Sequence, residues 1–216
     1  MRILTATLAF LVLSTFTLGQ EIPPIHMGPR VGLGLATQSV GGFFNNTDNL
    51  LAAPVVGWHF EFPFHAQISF MPEVLWMSKG SSVRNPAQNT RTRDAFRYIE
   101  IPMLLKIHME KKKYDEGLYL LAGPSLGYFL SGRSREWLER DLIRDVSYDA
   151  PRNNGRRLDL SGVIALGKEW KRTALDIRAQ SSVAPFEQLT NVRNVVYSVT
   201  WAYRMAPGKK EKKDKS

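Results

Sequence analysis

Apolar residues recur at every second position in eight segments of this chain, with Gly, Pro, Asn or charged clusters between them. A period of two marks strands that bury or shield one face. The first segment, about 29–37, sets Val31, Leu33 and Leu35 against Arg30, Gly32 and Gly34. The second, about 54–62, sets Val56, Trp58, Phe60 and Phe62 against Gly57, His59 and Glu61, and the third, about 66–77, sets Ile68, Phe70, Val74 and Trp76 against Gln67, Ser69 and Glu73. The fourth, about 97–108, is the cleanest: Ile99, Ile101, Met103, Leu105 and Ile107 oppose Tyr98, Glu100 and Lys106. The fifth, about 117–131, is apolar on both faces. The sixth, about 157–168, opposes Leu158, Leu160, Ile164 and Leu166 to Asp159 and Ser161; the seventh, about 172–182, opposes Leu175 and Ile177 to Asp176, Arg178 and Gln180. The eighth, about 194–205, opposes Val195, Tyr197, Val199, Trp201 and Tyr203 to Ser198, Thr200 and Arg204.

The connections alternate in length. Those at Pro63-Phe64, Met109 to Glu116 and Glu169 to Lys171 are short, whereas 38–53, 78–96, 132–156 and 183–193 are long and polar. Short periplasmic turns, long extracellular loops and both termini on the periplasmic side are the pattern of a bacterial outer-membrane barrel. The expected fold is therefore all-β, an eight-stranded antiparallel up-and-down transmembrane β-barrel over residues 20–205.

Alternation by itself also fits a soluble lipocalin-like barrel, whose apolar face points inward to a ligand. Three features favour the membrane. The polar face carries Arg30, Glu61, Glu73, Glu100, Lys106, Asp159, Asp176, Arg178 and Arg204, four cations and five anions that can neutralise one another in a closed lumen. Trp58, Trp76, Tyr197, Trp201 and Tyr203 lie on the apolar face, as an interfacial aromatic girdle requires. The lipocalin G-x-W signature is missing from the first strand: Gly57 and Trp58 are adjacent and fall in the second.

Composition and charge narrow the picture further. Residues 1–19 read as a signal peptide, with Arg2 as the positive end, an apolar run from Ile3 to Leu18, and small residues Thr17 and Gly19 before a cut at Gln20. Export to the outer membrane of a Gram-negative bacterium follows. The chain has no Cys, so neither a disulfide framework nor a lipoprotein anchor is available to it. Its net charge of +9 invites a nucleic-acid reading, but part of the excess sits in a basic tail, residues 206–216, expected to be disordered in the periplasm. The remainder is scattered, without the basic helix or aromatic-basic pattern of a nucleic-acid binder.

The segments PEVLWMSKG (72–80), YIEIPMLLK (98–106) and AGPSLGYFL (122–130) resemble, in order and spacing, the third to fifth strands of PorT-like outer-membrane β-barrel proteins, whose pattern is close to PELLYSQKG, YLEIPLLLK and AGPSLGYLL. VGLGL (31–35) and LDIRAQ (175–180) extend the resemblance over nearly all of the mature chain. It implies an eight-stranded barrel, mostly of unassigned function, with a namesake that belongs to a protein-export apparatus. This chain departs from the pattern in carrying eleven residues after Met205, beyond the aromatic last strand.

Eight strands leave a lumen only wide enough for its own side chains, so the nine charges are expected to pair. Candidate catalytic chemistry is thin. His59, Ser69 and Glu73 could be assembled on paper into a nucleophilic set, yet their spacing matches no known signature and a polar lumen accounts for all three. Neither metal-ligand spacing nor a phosphate-binding Gly loop occurs, so no catalytic residue, metal or cofactor is expected. The loop 132–156 is the candidate partner surface: Trp137, Leu138, Leu142 and Val146 fall near one helical face, with Glu136 four residues before Arg140. The basic loop 78–96, with Lys79, Arg84, Arg91 and Arg93, is placed either against lipopolysaccharide phosphates or in solvent. The expected role is structural or interactive, through extracellular loops, with outer-membrane lipid and envelope proteins as partners. The alternatives are a transport role, as a narrow channel or export component, and the soluble ligand-binding barrel.

Overall fold

A computed structural model describes residues 25–40, 50–65, 67–109, 116–151, 157–185 and 192–205. The signal-peptide segment 1–19 and the tail 206–216 lie outside the described residues. Among the described residues nine strands form: β1 (His26–Val40), β2 (Leu51–His65), β3 (Ile68–Asn85), β4 (Thr90–His108), β5 (Gly117–Leu138), β6 (Asp141–Tyr148), β7 (Leu158–Trp170), β8 (Thr173–Ser182) and β9 (Val192–Tyr203). Every pairing is antiparallel, and the ring β1-β2-β3-β4-β5-β7-β8-β9 closes through β9 on β1. The ring therefore has eight strands. Among the described residues the ninth, β6, pairs with the distal half of β5, Gly132–Leu138, while β7 occupies the proximal half, Gly117–Tyr128.

Burial alternates as the sequence alternates, and with its apolar side outward. In β4 Ile101, Met103, Leu105 and Ile107 are exposed while Glu100, Leu104, Lys106 and His108 are buried. Leu33 is 69% exposed and Ile177 65%. A continuous apolar exterior of this kind is stable in hydrocarbon and not in water. The interior buries the charged side chains, with apolar clusters such as Met71, Leu104, Leu121 and Val163 beside them, which is the reverse of a lipocalin-like soluble barrel with an apolar interior and a polar exterior. β5 resolves the same way: Leu118, Leu120, Leu126, Tyr128 and Leu130 face out, Tyr119, Leu121, Ser125 and Phe129 face in. Val195 alone departs from the expected outer face of the last strand, being 1% exposed.

Two of the expected loops are strands. The segment 78–96 is a hairpin in which β3 and β4 stay in register from Ser78↔Arg97 to Asn85↔Thr90, turning through Pro86 to Asn89. The segment 132–156 contains no helical turn in its described part; β5 runs on to Leu138, turns at Glu139 (φ 56°) and Arg140, and returns as β6. The physical reason is the ladder. The distal half of β4, Thr90–Arg97, already offers its free edge to Ser131–Leu138, and that pairing satisfies backbone groups a lone short helix would leave to water. The short connections also move slightly: β2 continues past Pro63-Phe64 to His65, and β7 and β8 join through Lys171-Arg172. A membrane strand needs about 9–11 residues. At 18, 19 and 22 residues, β3, β4 and β5 are far longer, so with β6 they stand as a four-stranded sheet beyond the barrel's loop-side rim.

Candidate functional site

The lumen is built from residues that alternation sends inward, and their charges meet across the barrel in three layers. In the middle layer Arg30 Nη1 donates to Asp176 Oδ2 at 2.6 Å and to Thr200 Oγ1 at 2.6 Å, and Arg30 Nε lies 3.2 Å from Glu73. Arg178 grips Glu73 with both terminal nitrogens, at 2.6 and 2.9 Å, and reaches Asp176 Oδ1 with Nε at 2.5 Å. Two arginines and two carboxylates thus form a square, to which Tyr119 adds a hydroxyl donor at 2.9 Å from Asp176.

Toward the termini, Lys106 Nζ lies 3.0 Å from Glu61 and 2.5 Å from Glu169. Arg204 lies 3.7 and 3.5 Å from the same two carboxylates, with His26 at 3.1 Å from Arg204 and His108 at 3.0 Å from Glu169. The Tyr119 ring joins this layer to the middle one, since Lys106 Nζ sits 4.7 Å from its centroid. Gly167 makes the room: a Cβ there would stand 2.3 Å from the Tyr119 ring.

Toward the loops, Lys79 Nζ bridges Glu100 at 2.5 Å and Asp159 at 2.8 Å. Ser125 and Gln180 donate to Glu100, and Ser182 and Asn194 to Asp159. Above them Tyr98 meets Phe129 edge to face at 5.6 Å, and Phe96 lies tilted against Phe129 and Tyr148 at centroid distances of 6.3 and 6.2 Å, capping the polar interior with rings.

All nine residues singled out from sequence for the lumen are at most 4% exposed and lie within this lattice. Two members are additional. Lys79 falls in a segment whose polarity predicts a loop and Glu169 in one that predicts a turn; both are buried, and they raise the lumenal count among the described residues to five cations and six carboxylates. The signal for both was parity. Lys79 keeps the inward phase of Glu73, and Glu169 that of Asp159. His59, Ser69 and Glu73 are buried, but Glu73 is held by two arginines rather than by a histidine. Among the described residues no group of three or more His, Asp or Glu side chains is placed to hold a metal ion.

The aromatic residues are spread over the outer wall. Tyr203, opposite Thr173, and Trp201, opposite Leu175, lie at the termini side with rings 6.4 Å apart. Trp58 sits opposite Pro29, Tyr197 opposite Leu35, and Trp76 opposite Ile99 near the loop-side edge of the apolar band. Trp170, at the end of β7 and under Lys168, is a further rim ring. In the standing sheet, Trp137 faces Leu142 across the β5–β6 ladder, whereas Leu138 and Val146 belong to the opposite face, opposite Asp141 and Ser134. The single helical face expected for these four does not form, and Glu136 stands opposite Arg144 instead of pairing with Arg140.

The family model of the outer membrane protein beta-barrel domain matches residues 20–182. No curated protein matches the chain. Solved structures similar to it are Ail, the attachment invasion locus protein of Yersinia pestis (10% identity, 83% of this chain and 98% of that one, TM-score 0.44), and Neisserial surface protein A (10%, 86% and 100%, 0.48). The outer membrane protein OprG of Pseudomonas aeruginosa is similar at 10% identity, over 85% of this chain and 95% of that one, with a TM-score of 0.37. Likenesses this faint carry no argument about role.

Proposed function

The chain belongs to the outer membrane protein β-barrel domain family, and from that premise we propose that it is a non-conducting, non-enzymatic barrel that acts through the sheet it raises above the outer membrane. The observation that carries this reading is the lumenal lattice. Eleven charged side chains, each at most 4% exposed, are engaged with one another across an eight-stranded ring under an aromatic cap. An ion crossing it would have to separate buried pairs, each costly to break. The β3–β6 sheet, by contrast, offers a wide surface for envelope partners. Narrower kinship with PorT-like proteins is supported by the three resembling segments, which fall on the adjacent strands β3, β4 and β5. It makes a place in an export apparatus the second reading.

Purified protein in planar bilayers is expected to show no stable conductance. Steady currents whose ion selectivity changes in Arg178→Ala would overturn the filled-lumen reading and put transport first.

A further inference from the structure

We propose that the outward face of the β3–β5 extension, with Arg84, Arg91, Arg93, Arg97, Arg133 and Arg135, binds the phosphate groups of a phosphorylated glycolipid in the surrounding outer leaflet. The proposal rests on the placement of the barrel in the outer membrane and not on the state of the lumen.

The lipid-facing series of β4, from Ile107 to Ile99, continues past Ile99 without a break in register to Arg97, Ala95, Arg93 and Arg91. On β3 the same face runs from Trp76 through Ser78 and Ser82 to Arg84. On β5 a one-residue bulge at Leu130 resets the phase, so that Arg133 and Arg135 come onto this face opposite Ala95 and Arg93. The surface thus changes from hydrocarbon-facing to arginine-rich within two residues. At about 3.3 Å per residue, Arg97 stands roughly 7 Å beyond Ile99, the depth of lipid headgroups.

The charge on this face is out of balance. Asp145 answers Arg133 and Arg135, at 2.6 and 3.5 Å, and Glu139 stands at the tip near Arg84 and Arg91. Register sets Arg84 directly opposite Arg91 and Arg93 directly opposite Arg135. Like charges placed opposite each other on a sheet are destabilising in water, and a polyanion between them reverses the sign. Guanidinium forks also match phosphate oxygens two at a time, which lysines do not.

There is a seat for such a group. β2 parts from β3 beyond Val55↔Met77, and a cleft of about 190 Å³ opens there. Arg93, Arg97, Arg133 and Arg135 line it above Pro54 and Trp76. Arg93 Nη2 spans the parting to the Ala52 carbonyl at 3.2 Å. Apolar floor, cationic wall and continuity with the lipid band describe a headgroup whose own tails lie in the band below.

The test uses the mature protein in phosphatidylcholine nanodiscs, with retained lipid counted by native mass spectrometry after addition of diphosphorylated lipid A, fully dephosphorylated lipid A or phosphatidylglycerol. Diphosphorylated lipid A is expected to be retained in preference to both others, and inorganic phosphate to compete only weakly. Arg97→Glu with Arg133→Glu should weaken retention about tenfold or more, the value of one or two lost charge-assisted hydrogen bonds, while Arg144→Glu on the opposite face leaves it unchanged. Equal retention of the phosphorylated and dephosphorylated lipids by the unmodified protein would overturn the proposal without recourse to any variant. So would retention untouched by the double reversal. Either result leaves the conductance measurement standing as a separate test of the lumen.

Discussion

Arg178 and Arg133 make nearly the same contact in two very different places. Each grips a carboxylate with two nitrogens, Arg178 on Glu73 at 2.6 and 2.9 Å and Arg133 on Asp145 at 2.8 and 2.6 Å. The Arg178 side chain is 4% exposed and that of Arg133 43%. Inside the barrel, water cannot replace a lost partner, so each charge is answered and the lattice locks the ring. Above the membrane, water can, so the standing sheet tolerates an excess of arginine. Hydrogen-bond geometry does not reveal what an ion pair is for; its surroundings do.

The comparison is broken most severely from the lumen. Arg178→Ala leaves the two carboxylates of Glu73 and Asp176 to share the single charge of Arg30 in this layer of the described residues, and about 3–5 kcal/mol of stability should be lost, read as urea unfolding in bilayers and as loss of heat-modifiable migration. Stability unchanged in that variant would mean that water already fills the interior. Next come the lipid-facing positions, where Ile101→Arg or Val199→Arg should cost about 2–4 kcal/mol near the midplane and Tyr203→Arg at the rim much less. Equal tolerance at both depths would contradict the outward apolar band.

Arg133→Ala should leave unfolding of the barrel unchanged while lowering lipid A retention, which separates the two regions in one variant. The smallest effect is one of pH. The Arg133 guanidinium beside Asp145 holds its carboxyl below the usual carboxylate range. The pairing it supports is therefore complete above that range and is lost as pH falls through the lowered value. Amide exchange in β6 should accelerate only on strong acidification, and in Arg133→Ala at a higher pH.

Alternation made the ring legible. Parity separates Leu33, Ile101 and Ile177 from Arg30, Glu100 and Asp176, because a strand has only two faces, and the balanced charges of one set with the aromatic rings of the other turn the apolar set outward to the bilayer. Lys79 and Glu169 keep the inward parity of their strands, but the polar composition around them reads as a strand end. Parity fails at Trp137, Leu138, Leu142 and Val146, whose spacing fits a helix as well as two strands joined by a tight turn. Only the neighbouring edge of β4 distinguishes the two.

What the sequence by itself determined is the strand series, its inward and outward faces, and the short and long ends of the barrel, all local consequences of a two-residue period meeting a membrane. Which charge answers which, that β3 to β6 rise together as a sheet, and that arginines from β3, β4 and β5 gather on one face above the lipid were decided by tertiary structure. Those depend on register between strands distant in the chain, and register is set by closure of the whole ring and by bulges such as that at Leu130, which no single segment encodes.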